Sequence, residues 1–127
     1  MNTMLLIDDD VYASEALALR LGVSLRSWRF LTARDGSEGV DVMNSMPVDF
    51  IVVNIRKSDV NGDGIIHYRN KRHPRVPLYA TIDDADMVNA LSAMRVSACI
   101  RKPYDFESLA QRILSDADVI SGAALRM

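Results

Sequence analysis

The run Asp49-Phe50-Ile51-Val52-Val53-Asn54 constrains the fold more than any other stretch of the chain. It is apolar and β-branched, it ends in a polar amide, and the turn-rich Ser58-Asp59-Val60-Asn61-Gly62-Asp63-Gly64 follows it. A short apolar run of this kind, flanked on both sides by helical periodicity, predicts a strand buried on both faces of a parallel sheet. Open α/β sheets bind ligands beyond the carboxyl ends of their strands, so Asn54 is expected at the functional crevice.

The rest of the chain alternates strand and helix signals around this run. Met4-Leu5-Leu6-Ile7 predicts a first buried strand that stops at Asp8-Asp9-Asp10. A helix follows with Ala13, Ala16, Leu17, Leu19 and Leu21 at helical spacing; Asp10 is its N-cap, and Gly22 loosens or ends it. Trp28–Ala33 predicts a second strand, and Asp35-Gly36 turns into a helix carrying Val40, Val42, Met43 and Met46 that Pro47 stops. After the central strand come a helix over Gly64–Arg72, a strand over Val76–Ile82 and a helix capped by Asp83-Asp84 with Met87, Val88, Leu91 and Met94. Ala98–Arg101 is a short fifth strand broken by Lys102-Pro103. Asp105 caps a last helix with Phe106, Leu109, Ile113 and Leu114 on one face. Five strand–helix units in this rhythm predict an α/β doubly wound five-stranded parallel sheet with helices on both faces.

Length and composition agree with one domain. The chain has 127 residues and a formal charge of −2, which gives no general attraction to nucleic acid or to anionic membrane. A single cysteine, Cys99, excludes an internal disulfide framework and a zinc cluster. No apolar run approaches membrane-spanning length, and the first residues lack a signal-peptide pattern, so a cytoplasmic protein is expected. Residues 119–127, with Gly122-Ala123-Ala124, are expected to be a tail or the start of a linker.

Four features in order then carry a family resemblance: Asp8-Asp9 after the first strand, a polar residue ending the third, Asn61-Gly62 shortly after it, and Lys102-Pro103 after the fifth. Together they resemble the receiver (CheY-like) domain of two-component response regulators, over about Met4 to Ser115. The resemblance implies strand order 2-1-3-4-5, a receiver-like domain over residues 1–118, and a role in phosphorelay signalling rather than as an enzyme. It implies Mg²⁺ held by Asp8, Asp9, the Asn54 position and the backbone carbonyl of Arg56, with Lys102 as the phosphoryl-binding cation. It also implies a Lys102–Pro103 cis bond. The chemistry is coherent: phosphoryl transfer to a carboxylate gathers negative charge, which needs a divalent cation and a fixed ammonium to offset it. Taken alone, Asp8-Asp9-Asp10 also fits a solvated loop and helix cap, and Lys102 a surface lysine.

The departures from that pattern are as informative as the match. The family's acceptor is an aspartate where this chain has Asn54, and an amide is no carboxylate nucleophile. Counted from Pro77 without a gap, the family's hydroxyl position falls on Ile82, and Thr81 is expected to face the other side of its strand. Cys99 replaces the family's switch aromatic. The expectation is an atypical receiver-like module, not phosphorylated at Asn54, with weak or no Mg²⁺ binding. It would contact a protein such as a histidine kinase, a phosphotransfer protein or an output domain. The surface of the fourth helix, fifth strand and fifth helix is the expected face for such contacts or for a homodimer, with no direct nucleic-acid or membrane binding. The alternative is a conventional receiver carrying an Asp-to-Asn substitution, or one using Asp59 or Asp83 as acceptor.

Two further readings come from other classes. Asp59–Ile66 resembles the start of a calcium loop, but its twelfth position is Asn70 rather than glutamate and it follows a strand. An enzyme on a related fold would need a glycine-rich phosphate loop after the first strand, where three aspartates stand instead. The basic group Arg69, Lys71, Arg72, His73 and Arg75 is expected to be a solvated face, and Trp28 a half-buried residue.

Overall fold

The computed structural model describes residues 1–57 and 64–125. Five strands, β1 (Thr3–Ile7), β2 (Arg29–Ala33), β3 (Phe50–Ile55), β4 (Leu78–Ile82) and β5 (Ala98–Arg101), form one parallel sheet in the order β2-β1-β3-β4-β5. They alternate with helices α1 (Val11–Ser24), α2 (Gly36–Ser45), α3 (Gly64–Arg72), α4 (Met87–Ala93) and α5 (Phe106–Leu125). This is the doubly wound architecture that the strand–helix rhythm predicts, in the strand order that the family resemblance implies.

The sheet divides the core in two, and strand alternation decides which residue goes where. On one side, Leu5, Ile7, Ile51, Val53, Ile55, Leu78, Ala80 and Ile82 pack with Met43 of α2, Ile65 and Ile66 of α3, and Met87 and Leu91 of α4. On the other, Met4, Leu6, Phe50, Val52, Tyr79 and Ala98 pack with Leu17 and Leu21 of α1 and with Leu109, Ala110, Ile113 and Ala117 of α5. Gly39 lets α2 lie close to β1, since a Cβ there would fall 2.5 Å from Ile7 Cδ1.

Local signals explain most element ends. The Asp10 carboxylate accepts from the backbone N–H groups of Tyr12 and Ala13, and that of Asp35 accepts from Glu38, so both act as N-caps. Asp105 caps α5 by accepting from the Ser108 N–H at 2.8 Å.

Several expectations need correction. Gly22 does not end α1, which runs on to Ser24. Asp83-Asp84 does not cap α4: the helix starts at Met87, and Asp84 instead accepts from the Asp86 N–H and from Lys57 Nζ. Residues 119–125 continue α5 rather than forming a tail, and Trp28 Nε1 donates to Ser121 Oγ at 2.9 Å. Trp28 itself is buried. Arg69 leaves the solvated basic group altogether. It is buried and donates to the carbonyls of Val76 and Arg95, to Asn70 Oδ1 and to Ser97 Oγ. Burying a guanidinium is costly unless its donors are satisfied, and these oxygens of α3 and of the loops after α3 and α4 satisfy them.

Candidate phosphoryl and metal site at the strand ends

Four polar residues stand at the carboxyl ends of the strands, and three of them, Asp8, Asn54 and Thr81, border one cleft. Asp8 follows Met4 and Leu6, Asn54 follows Phe50 and Val52, Thr81 follows Tyr79, and Lys102 follows Ala98 and Ile100; each preceding residue belongs to or packs on the α1/α5 core. Alternation carries Asn54 and Thr81 toward α1 and α5, Asp8 borders the same cleft, and Lys102 lies one residue past the end of β5.

The Asn54 amide is half-buried, and its Oδ1 accepts a hydrogen bond from Thr81 Oγ at 3.0 Å. The two residues are register partners on adjacent parallel strands, so their side chains stand on the same face. This overturns the expectation that Thr81 faces away and Ile82 occupies the hydroxyl position. Ile82 is fully buried in the opposite core. The gapless count from Pro77 is one residue too long, and a one-residue slip exchanges the two faces of a strand.

The acids are held by separate local partners. Asp8 is partly buried and accepts from the Asp10 backbone N–H at 2.9 Å. Asp9 is exposed and forms an ion pair with the Arg56 guanidinium. Lys102 is partly buried, its backbone N–H donates to the Ile82 carbonyl at 2.7 Å, and its bond to Pro103 is cis, as expected. Lys57 links the end of β3 to the start of α4 through Asp84 at 3.0 Å and Asp86 at 3.7 Å. The Asp84 carboxyl is held below its ordinary range, first by the Asp86 backbone N–H and then by Lys57.

Between these groups and α1 lies a cleft of about 20 Å³ bordered by Asp8, Asn54, Thr81, Tyr104, Ala13 and Ser14. Ser14 is a contributor that sequence reasoning missed. Its hydroxyl is buried and has no protein partner among the described residues. A cleft of this size holds a single water, which would satisfy that hydroxyl. The only sequence signal was a serine on the inner face of an amphipathic helix. Burial raises the Tyr104 phenol above its ordinary pKa, and the nearby Asp8 charge adds to it.

The donor set bears directly on Mg²⁺. Among the described residues no three His, Cys, Asp or Glu side chains gather around one point. Asp9 carries Arg56, and the Asn54 oxygen is neutral and bonded to Thr81. Asp8, with neutral oxygens beside it, fits a weakly held and largely hydrated ion.

Cys99 belongs to the other side of the sheet. It is partly buried against the α2–α4 core, and burial pushes its thiol up. Residues 59–63 of the calcium-like segment, with the alternative acceptor Asp59, lie outside the described residues, and residues 64–66 begin α3. Asn70, the calcium loop's twelfth position, sits on α3 and donates to the Met94 carbonyl. Asp83 is exposed and lies just past the end of β4.

No protein-family model matches the chain. It is 29% identical over 112 residues to the transcriptional regulatory protein GlrR of Escherichia coli (strain K12), covering 87% of this chain and 25% of that protein. It is 24% identical over 120 residues to the photosynthetic apparatus regulatory protein RegA of Cereibacter sphaeroides, covering 91% of this chain and 63% of that protein. The chain thus spans about a quarter of the length of the first curated relatives it matches. Among solved structures, a CheY-like response regulator receiver domain protein from Methanospirillum hungatei JF-1 superposes with a TM-score of 0.78 at 15% identity, covering 97% of this chain and 98% of that one. HP1043, an orphan response regulator of H. pylori, gives a TM-score of 0.76 at 16% identity, covering 90% and 94%.

Proposed function

We propose that this chain, whose fold is that of the CheY-like receiver domains of response regulators, is an atypical receiver-like module that takes no phosphoryl group at Asn54 and acts by binding a protein partner. The observation that carries this reading is Asn54 itself. It stands at the carboxyl end of β3, borders one cleft with Asp8 and Thr81, and presents an amide oxygen already bonded to Thr81. An amide neither attacks a phosphoryl group nor brings charge to a cation.

In this reading Asp8, Asp9, Asn54 and the Arg56 carbonyl are the residues that would hold Mg²⁺, weakly. Lys102 is the residual phosphoryl-binding cation, and Cys99 stands in the switch position. The module is regulatory rather than enzymatic. Its partner is a histidine kinase, a phosphotransfer protein or an output domain, met through the face formed by α4, β5 and α5. A cytoplasmic location accords with these partners, and no described helix is long and apolar enough to cross a membrane.

A second reading is favoured by the Thr81 hydroxyl, which is in place beside residue 54: a conventional receiver carrying an Asp-to-Asn substitution at its acceptor. One experiment separates the two. The chain and its Asn54→Asp variant are incubated with acetyl phosphate and Mg²⁺, and intact mass is read under mild acid. We expect no phosphoryl gain in the parent. A gain confined to the variant supports the second reading, because then the pocket is otherwise competent. A parent that gains phosphoryl mass sinks both, and peptide mapping would locate another acceptor.

A further inference from the structure

The outer face of α1 carries an apolar stripe that the fold does not use. Tyr12, Ala16, Leu19 and Val23 are all exposed, Tyr12 by 83%, Leu19 by 76% and Val23 by 68%. Half of the large apolar side chains exposed among the described residues lie on this helix. The inner face of α1 is separate and buries Ser14, Leu17 and Leu21. A shallow groove bordered by Glu15, Ala18, Leu19 and Thr32 lies beside the stripe.

The spacing of the stripe is specific. Residues 12, 16, 19 and 23 are separated by four, three and four positions, the alternation of a two-helix seam. With 12 and 19 as d positions and 16 and 23 as a positions, Glu15 becomes a g residue and Arg20 the following e residue. In a parallel, in-register pair, g of one helix meets the e residue five positions on in the other. Glu15 would therefore meet Arg20 of a second copy, and symmetry supplies the same pair twice. In an antiparallel pair g faces g and e faces e, so these charges would not meet. The charges thus select both the occupant and its direction.

Arg20 remains available for this contact. Its Nε and Nη2 donate to Glu107 of α5 at 2.8 and 2.5 Å, and a guanidinium has five N–H donors. The Glu107 pair also holds Arg20 at the flank of the stripe, which lowers the entropy cost of a second bond.

We propose that α1 is the seam of a parallel homodimer, with Tyr12, Ala16, Leu19 and Val23 in its centre and reciprocal Glu15–Arg20 pairs on its flanks. One helix pair is a small interface, so association is weak and depends on concentration. This face is distinct from the α4–β5–α5 surface, where Val88 is 38% and Phe106 40% exposed.

Sedimentation equilibrium of the chain from micromolar to millimolar concentration tests the seam. The weight-average mass is expected to rise from 14.1 kDa toward twice that value. Leu19→Glu should stay monomeric throughout, with unchanged circular dichroism because Leu19 is outside the core. Glu15→Arg should weaken association about tenfold, through two lost pairs and two new like-charge contacts. Ala16→Cys should form a covalent dimer under a disulfide oxidant, with the link mapped to residue 16 in both copies. A wild-type chain that stays monomeric overturns the proposal, as does a dimer that survives Leu19→Glu. A dimer that never links through residue 16 overturns the parallel arrangement.

Discussion

Thr81 Oγ donates to Asn54 Oδ1 at 3.0 Å across two adjacent parallel strands, and so the amide oxygen of residue 54 already serves one donor and brings no charge to a cation. Asn54→Asp keeps an acceptor for Thr81 and adds a charge beside Asp8. We expect Mg²⁺ affinity to rise by on the order of tenfold or more, because a hard cation gains an ionised oxygen ligand. Titration calorimetry on the parent and the variant reads this directly, and equal affinities would remove Asn54 from the metal site.

Arg69 is the most heavily engaged buried cation among the described residues. Replacing it with Met keeps much of the volume but strands the Val76 and Arg95 carbonyls without their donor. A loss of about 3 kcal/mol is expected. Urea unfolding of Arg69→Met measures it, and a loss below about 1 kcal/mol would mean that the loop re-pairs with water.

Arg95 is the one non-glycine residue with positive φ among the described residues, at 62°. Its side chain is exposed while its carbonyl accepts from Arg69. Glycine relieves the Cβ clash of the left-handed conformation but adds freedom to the unfolded chain. Arg95→Gly is therefore expected to stabilise by about 0.5 kcal/mol, read as a rise in the urea midpoint.

The Glu107 carboxyl is pulled down to about 2, first by its hydrogen bonds from Arg20 and then by the one from Gln111. A carboxyl depressed in the folded state contributes stability that is fully present above its ordinary value of 4.5 and is lost as pH falls from there through about 2. The pair is exposed to water, so the contribution is small. Glu107→Gln should flatten the stability curve over that acid window, costing a little stability at neutral pH and none at the acid end, as thermal unfolding against pH would show.

Tyr79 moves with the opposite sign. Burial comes first and the bond to Asp116 second in pushing its phenol up to about 12. A raised tyrosine pKa favours the neutral form in the folded state, so this stability holds below pH 10 and fades as pH rises through 10 toward about 12. Tyr79→Phe should cost roughly 1 kcal/mol at neutral pH and remove the alkaline part of the decline.

Periodicity and turn chemistry are enough for the alternation of strands and helices in a doubly wound parallel sheet, because those signals are local; the strand order comes from the family resemblance. Thr81 was misplaced because the phase of β4 is set by its pairing with β3, and counting from Pro77 along one strand does not contain that register. Arg69 looked like one of five neighbouring basic residues, yet its acceptors include a carbonyl 26 positions away. Ser14 gave no signal beyond its place on α1. The N-terminus of α4 was misread because Asp84 spends its carboxylate on Lys57 and on the backbone of its own turn. Where a polar side chain finds its partner across the fold, composition near it in the chain says little.

The chain's single tryptophan is buried on the α1/α5 side and hydrogen-bonded to Ser121 of α5. Indole emission shifts with solvent exposure and with the loss of such a bond, so Trp28 is a built-in optical gauge of how firmly the last helix is seated. A red shift on binding a partner would mean that α5 has lifted from the body of the domain, and an unmoved spectrum that recognition leaves this layer rigid.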